Sequence, residues 1–311
     1  MPRALLAVLL TLAVAAGCAG RAAAGGFTAG KLNVVTAFYP LQFLSERIGG
    51  DDVTVTNLTK PGAEPHDVEL NPRQVAQVAD AGVAVYLKGF QPAVDAAVGQ
   101  EAKGRSFDVT TVVDLKPFDP GSDEGGLDPH VWLDPVRFAT IAGALGERLA
   151  QADPAHASDY RSRARQLQGQ LQTLDDAYAK SLRSCQRHEL VTSHEAFGYL
   201  AARYGLTQIG ITGISPEAEP SPRRLGQVAA EARRTGTTTI FFETLVSPKV
   251  ADTIAREVGA RSAVLDPLEG LTEAEPTRGG KPQNENHEDA DYFSVMRANL
   301  AALTTALGCT S

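Results

Sequence analysis

The sequence is short of the features that mark several large classes of protein. It holds three cysteines, two methionines and one tryptophan in 311 residues. No two cysteines stand in a C-x-x-C spacing, so neither a thiolate zinc cluster nor a dithiol redox motif is available. Positive charge is scarce: 29 Lys and Arg face 37 Asp and Glu, a formal charge of -8. Without a basic field to neutralise phosphates, nucleic acid is excluded as the natural partner. The apolar run Ala4 to Ala16 falls short of the ~20 residues of a membrane-spanning helix, and no other stretch approaches that length. H-E-x-x-H, G-x-S-x-G and P-loop motifs are absent, which leaves a hydrolase or nucleotidase reading without its usual signature. What remains is 43% hydrophobic and 21% charged residues, an ordinary folding composition with length for about two domains.

The first residues point to export. Met1-Pro2-Arg3, the apolar run and Gly17-Cys18 read as a lipoprotein signal peptide over 1–17, cleaved before Cys18, whose thiol is then lipidated. Ala15 stands where such signals usually carry Leu; a spanning anchor or a plain cleaved signal are the other readings. The Ala- and Gly-rich segment 18–30 is expected to be a flexible tether. Cys185 and Cys309 are then an even pair in an exported chain, and a disulfide is the economical reading, two buried thiols the other.

From Lys31 onward, short β-branched runs alternate with helix-period segments, as in Val34-Val35-Thr36 followed by 40–49. This predicts an α/β fold of parallel sheets flanked by helices. Five capping residues each precede a proline: Asn71-Pro72, Asp134-Pro135, Asp153-Pro154, Ser221-Pro222 and Ser247-Pro248. Each predicts a helix start. Over 154–184, Tyr160, Leu167, Leu171, Leu174, Tyr178 and Leu182 recur at helical intervals, predicting one rigid helix of roughly 45 Å. The chain thus divides into an N-terminal α/β lobe (31–153), a spanning helix (154–184) and a C-terminal α/β lobe (185–311). Val34-Val35-Thr36-Ala37-Phe38 and Leu190-Val191-Thr192-Ser193-His194 open the two lobes alike, suggesting a duplication. Two long loops, 119–128 and 272–289, interrupt the pattern and are expected to be functional or mobile.

Six histidines are present, and three follow or precede elements of the βα pattern: His66 in a Pro-rich loop, His130 just before a helix and His194 directly after a strand. Asp266 also follows a strand. Strand C-termini line the ligand crevice of open α/β folds, and three neutral imidazoles with one carboxylate suit a borderline cation such as Zn²⁺.

The segments Pro61-Gly62-Ala63-Glu64-Pro65-His66-Asp67, Asp128-Pro129-His130-Val131-Trp132-Leu133-Asp134-Pro135, Ser193-His194-Glu195-Ala196-Phe197-Gly198-Tyr199 and Leu265-Asp266-Pro267-Leu268 resemble the metal-binding solute receptors of ABC transporters for zinc and manganese. The resemblance covers roughly 31 to 308. It implies two lobes joined by a rigid helix, one metal between them, and His66, His130, His194 and Asp266 as ligands. Manganese members tend to have Glu where His194 stands, so the resemblance implies zinc, one ion per chain. Glu195 and Glu243 are candidates to accept the other ring N–H of a ligating histidine. Asp123 and Glu124 in the first long loop and His287 in the second are candidate accessory groups; the first loop lacks the histidine cluster of many zinc members.

The expected function is therefore an extracytoplasmic, membrane-anchored lipoprotein, monomeric and not an enzyme. It captures Zn²⁺ and delivers it to an ABC-transporter permease, with a metal-donating chaperone as a further candidate partner. The alternatives are a manganese receptor of the same class, a zinc-dependent hydrolase or a surface adhesin.

Overall fold

The computed structural model describes residues 30–118, 126–270 and 291–310. The expected signal peptide, the expected lipidation site Cys18, most of the expected tether, and Asp123, Glu124 and His287 lie outside the described residues.

Two four-stranded parallel sheets organise the chain. The first comprises β1 (Leu32–Thr36), β2 (Val53–Asn57), β3 (Val83–Tyr86) and β4 (Ser106–Asp108), in the order β2-β1-β3-β4. The second comprises β5 (Glu189–Thr192), β6 (Thr207–Gly210), β7 (Thr239–Phe242) and β8 (Arg261–Val264), in the order β6-β5-β7-β8. The two orders are the same, and each sheet opens with its central strand. In β1, Val34 pairs with Val55 on one side and Val83 on the other, and Val34, Val35 and Thr36 are all buried. A strand covered on both faces reads as a continuous apolar run. The sequence reading had no β4, because Ser106-Phe107-Asp108 offers a single apolar residue and no alternation.

Helices α1 (Tyr39–Gly49), α2 (Pro72–Asp80), α3 (Pro92–Glu101) and α4 (Pro135–Ala152) serve the first lobe; α6 (Gly198–Tyr204), α7 (Pro222–Thr235) and α8 (Lys249–Val258) serve the second. Three of the predicted starts are side-chain caps: Asn71 accepts from Arg73 and Gln74, Asp134 from Val136 and Arg137, and Ser221 from Arg224. Each satisfies orphan amides of a first turn. At Ser247-Pro248 the helix starts one residue later than predicted, with Pro248 at the cap position. Asp153-Pro154 opens a single 3-10 turn, Pro154–His156, ahead of α5 (Ala157–Ser181). The Asp153 carboxylate accepts from His156 Nδ1 at 2.7 Å and from Tyr160 Oη at 2.8 Å, tightening that turn. The straight α-helix therefore has 25 residues, about 37 Å at 1.5 Å each, shorter than the sequence predicts.

α5 ties the lobes together. It packs along α4, where a Cβ on Gly146 would come within 2.6 Å of Ala164 Cβ, so only glycine permits this approach. Farther along, Asp175 receives two bonds from Arg203 of α6, at 2.5 and 2.6 Å, and one from Tyr204 at 2.8 Å. Arg203 also lies 3.5 Å from Asp134 of the first lobe. A second crossing is α9 (Tyr292–Leu307): Tyr292 stacks on Phe43 and donates to the Trp132 carbonyl at 2.6 Å. One apolar core consequently runs from the first sheet through α5 and α9 into the inner face of the second lobe, leaving a separate outer cluster around Ile211, Val228 and Ile240.

Cys185 and Cys309 form a disulfide across a separation of 124 residues, pinning the ends of α5 and α9. Reducing it, or replacing both cysteines with serine, is expected to lower stability by about 2–5 kcal/mol. Thermal denaturation with and without reductant measures this, and an unchanged midpoint contradicts it.

Candidate metal centre

Four side chains meet between the sheets. His66 comes from the loop after β2, His130 from the segment before α4, His194 directly after β5 and Glu269 from the loop after β8. One carboxylate oxygen, Glu269 Oε1, lies 3.1 Å from His66 Nε2, 2.8 Å from His130 Nε2 and 3.2 Å from His194 Nε2. His130 and His194 bring their Nε2 atoms within 3.3 Å of each other. A tetrahedral ion with bonds of 2.0–2.1 Å separates its ligand atoms by about 3.3 Å. The Glu269 oxygen and the His130–His194 pair stand within about half an ångström of that spacing, and all four ligand atoms lie within 4.8 Å of one another.

The other ring nitrogens of His130 and His194 face carboxylates. His130 Nδ1 donates to Asp128 Oδ1 at 2.8 Å, which also accepts from the His130 amide at 3.0 Å. His194 Nδ1 donates to Glu243 Oε1 at 2.6 Å, and Ser193 Oγ bonds the same oxygen. These carboxylates would keep a proton on Nδ1 when Nε2 gives up its own to a cation, leaving the Nε2 lone pair free to ligate. Across the cleft, Tyr199 of α6 donates to the Asp128 carbonyl at 2.8 Å and accepts from the Lys116 amide at 2.7 Å. Gly198 leaves room there, since a Cβ would fall 2.9 Å from Asp128 Oδ2. An aromatic wall backs the imidazoles: Phe90 meets His66 at 4.7 Å between centroids, and Trp132 meets His130 at 5.2 Å.

Burial decides the electrostatics. His130, His194 and Glu269 are inaccessible to solvent and His66 nearly so. Burial opposes the charged form of His130, but the bonds to Asp128 and Glu269 outweigh it and raise its pKa above 6.5. For His194 burial is likewise outweighed, by the charges of Glu243 and Glu269, and its pKa stands well above 6.5. His66 is lowered, because burial exceeds the help it gets from Glu269. Glu269 loses hydration too, yet the charge of His194 and the bonds from the three imidazoles hold it well below the usual carboxylate range. Glu64, whose Oε1 accepts from the His66 amide at 3.1 Å, is pushed up to about 8 by burial and then by Glu269. Two buried carboxylate oxygens here, Glu64 Oε2 and Glu269 Oε2, have no hydrogen-bond partner among the described residues. An orphaned buried oxygen on the carboxylate that already meets three imidazoles is what a cation would satisfy.

The fourth position of the cluster corrects the sequence reading, which assigned it to Asp266. Both oxygens of Asp266 are engaged elsewhere, Oδ1 by the Leu268 amide at 2.7 Å and Oδ2 by Thr244 Oγ1 at 2.9 Å, and burial raises its pKa to about 6. The carboxylate that joins the histidines is Glu269, three residues on. Leu268 between them has φ 59°, a left-handed backbone that costs a bulky residue about 1–3 kcal/mol. Glu195 pairs with Arg224 at 3.3 Å. Glu243 is brought to His194. Sequence reasoning singles out neither Asp128, beside His130, nor Glu269. The repeated Leu-Asp-Pro at 127–129 and 265–267 is the signal that sets Asp266 against Asp128 rather than against a ligand.

Comparison with known proteins gives a consistent result. A family model described as "Zinc-uptake complex component A periplasmic" matches residues 34–306. The zinc-binding protein AdcA of Streptococcus pyogenes is 35% identical over 299 residues, covering 88% of this chain and 56% of the relative. The chain thus spans little more than half the length of that relative. It covers 88% of the high-affinity zinc uptake system protein ZnuA of Bacillus subtilis, at 32% identity over 293 residues and 89% of this chain. The crystal structure of Zn(II)-bound AdcA from Streptococcus pneumoniae superposes with a TM-score of 0.75 at 34% identity, covering 89% of this chain and 58% of that one. These relatives are named as binding and uptake proteins rather than as enzymes.

The two charge states of the cluster predict opposite pH trends. Without metal, the stability from the raised His130 and His194 is complete below pH 6.5 and is lost as pH rises through their raised values. The stability from the lowered Glu269 is present above pH 4.5 and lost as pH falls through its lowered value. The metal-free midpoint should therefore fall from pH 6 towards alkaline pH. Metal affinity should rise over the same range, because the ion must displace protons from the imidazoles. Denaturation and metal titration across pH 5.5–8.5 test this; parallel slopes contradict it.

Proposed function

Because the chain belongs to the zinc-uptake complex component A family, matched over residues 34–306, we propose that it is an extracytoplasmic receptor. In this reading it captures one Zn²⁺ through His66, His130, His194 and Glu269 and delivers it to the permease of an ABC transporter. The observation that carries the reading is the meeting of three imidazole Nε2 atoms on one buried Glu269 oxygen. Two ligands come from each lobe, so the cargo itself completes the contact between the halves.

Three nitrogen donors and one carboxylate favour zinc over manganese, which prefers oxygen-rich, higher-coordinate sites. Four protein ligands fill a tetrahedron and leave no position for an activated water, which suits a carrier and not a hydrolase. Among the described residues no helix is long and apolar enough to cross a membrane; retention at the membrane is assigned to a lipid on Cys18, in keeping with the relative named zinc-binding lipoprotein AdcA in Streptococcus pneumoniae. The division read from the sequence, lobes 31–153 and 185–311 about a linking segment 154–184, is proposed as the structural division of the receptor.

Zinc titration against a competing chelator tests the reading. The wild-type chain should bind one Zn²⁺ in preference to Mn²⁺. His66→Ala, His130→Ala, His194→Ala and Glu269→Ala should each weaken binding by more than the ~10–100-fold expected for loss of an outer partner such as Glu243. Absent binding, or binding indifferent to these four side chains, overturns it.

A further inference from the structure

The two lobes repeat a device that the ligand assignment alone does not explain. In each lobe a Leu-Asp-Pro tripeptide lies beyond the last strand of its sheet, Leu127-Asp128-Pro129 after β4 and Leu265-Asp266-Pro267 after β8. In each, the aspartate Oδ1 accepts the amide two residues on: His130 at 3.0 Å in the first lobe and Leu268 at 2.7 Å in the second. Asp266 therefore corresponds to Asp128, which holds a ligand, and not to the ligand itself. The register then differs by one residue. His130 is itself the bonded residue, whereas in the second lobe Leu268 is bonded in a left-handed conformation (φ 59°) and fully buried, and Glu269 follows it into the cluster.

Three further contacts hold this turn. Asn299 of α9 accepts from the Asp266 amide at 2.9 Å and donates to its carbonyl at 2.7 Å. Thr244, from the loop after β7, donates to Asp266 Oδ2 at 2.9 Å. Trp132 of the first lobe donates from Nε1 to the Pro267 carbonyl at 2.7 Å. Trp132 lies two residues after His130, so the segments carrying one histidine and the glutamate ligand are bonded to each other across the cleft.

We propose that Asp266 is a positioning residue: its carboxylate holds the left-handed turn at Leu268 and thereby aims Glu269 at the three imidazoles. The proposal rests on the receptor reading for its effect on zinc, but its structural half is independent of metal. A carboxylate held at both oxygens fixes the donor before the ion arrives, and preorganised donors slow metal loss more than floppy ones.

Two variants separate positioning from ligation. Asp266→Asn keeps an oxygen to accept the Leu268 amide and is expected to bind one Zn²⁺ within about threefold of wild type, with the visible spectrum of its Co²⁺ complex unchanged. Asp266→Ala removes the acceptor and should release zinc about 10–100-fold faster, still at one ion per chain. In the metal-free protein, hydrogen exchange at the Leu268 amide should accelerate in Asp266→Ala and not in Asp266→Asn. If Asp266→Asn alters the Co²⁺ spectrum and loses as much affinity as Glu269→Gln, Asp266 is a ligand and the proposal falls. Unchanged exchange and unchanged zinc release in Asp266→Ala also overturn it. A wild-type chain that binds no zinc overturns the receptor reading instead, while the exchange measurement still decides the role of Asp266.

Discussion

A single buried point governs this structure, the Glu269 oxygen on which three imidazoles converge. Burying a carboxylate among histidines is costly unless each partner is held and each remaining polar atom is satisfied. Most of the surrounding architecture supplies that hold. Asp128 and Glu243 orient two rings, Phe90 and Trp132 back the wall, and the second oxygen of Glu269, without a hydrogen-bond partner among the described residues, is one a cation would satisfy.

The convergence requires the two lobes to be set against each other with sub-ångström tolerance. Two long helices perform this. α5 is packed so closely on α4 that glycine is needed at 146, and its far end is gripped by Arg203 and Tyr204 through Asp175. α9 returns to the first lobe, where Tyr292 inserts beside Phe43 and bonds the Trp132 carbonyl. With the disulfide joining the ends of these helices, the scaffold has few ways to separate the lobes without breaking buried contacts.

Much of this was legible in the sequence because the relevant signals are local. Proline after a capping residue marked α2, α4 and α7, and runs such as Val34-Val35-Thr36 marked buried parallel strands. Asp153-Pro154 misled by three residues, since a side-chain network tightened the first turn. The short β4 lacked periodicity and was invisible. The exchange of Asp266 for Glu269 has a different cause. The Asp follows a strand and a proline follows it, which is the pattern of an exposed ligand loop; what redirects the chain is the left-handed backbone at Leu268, a position where leucine gives no warning. Glu195 illustrates the same limit: adjacent to His194 in sequence, its side chain pairs with Arg224.

The central claim concerns which atoms surround the ion, and zinc K-edge X-ray absorption on the loaded wild-type chain addresses it most directly. The account predicts scattering from three imidazoles together with carboxylate oxygen at about 2.0–2.2 Å. Fewer than three imidazoles, or a sulfur ligand near 2.3 Å, would contradict it.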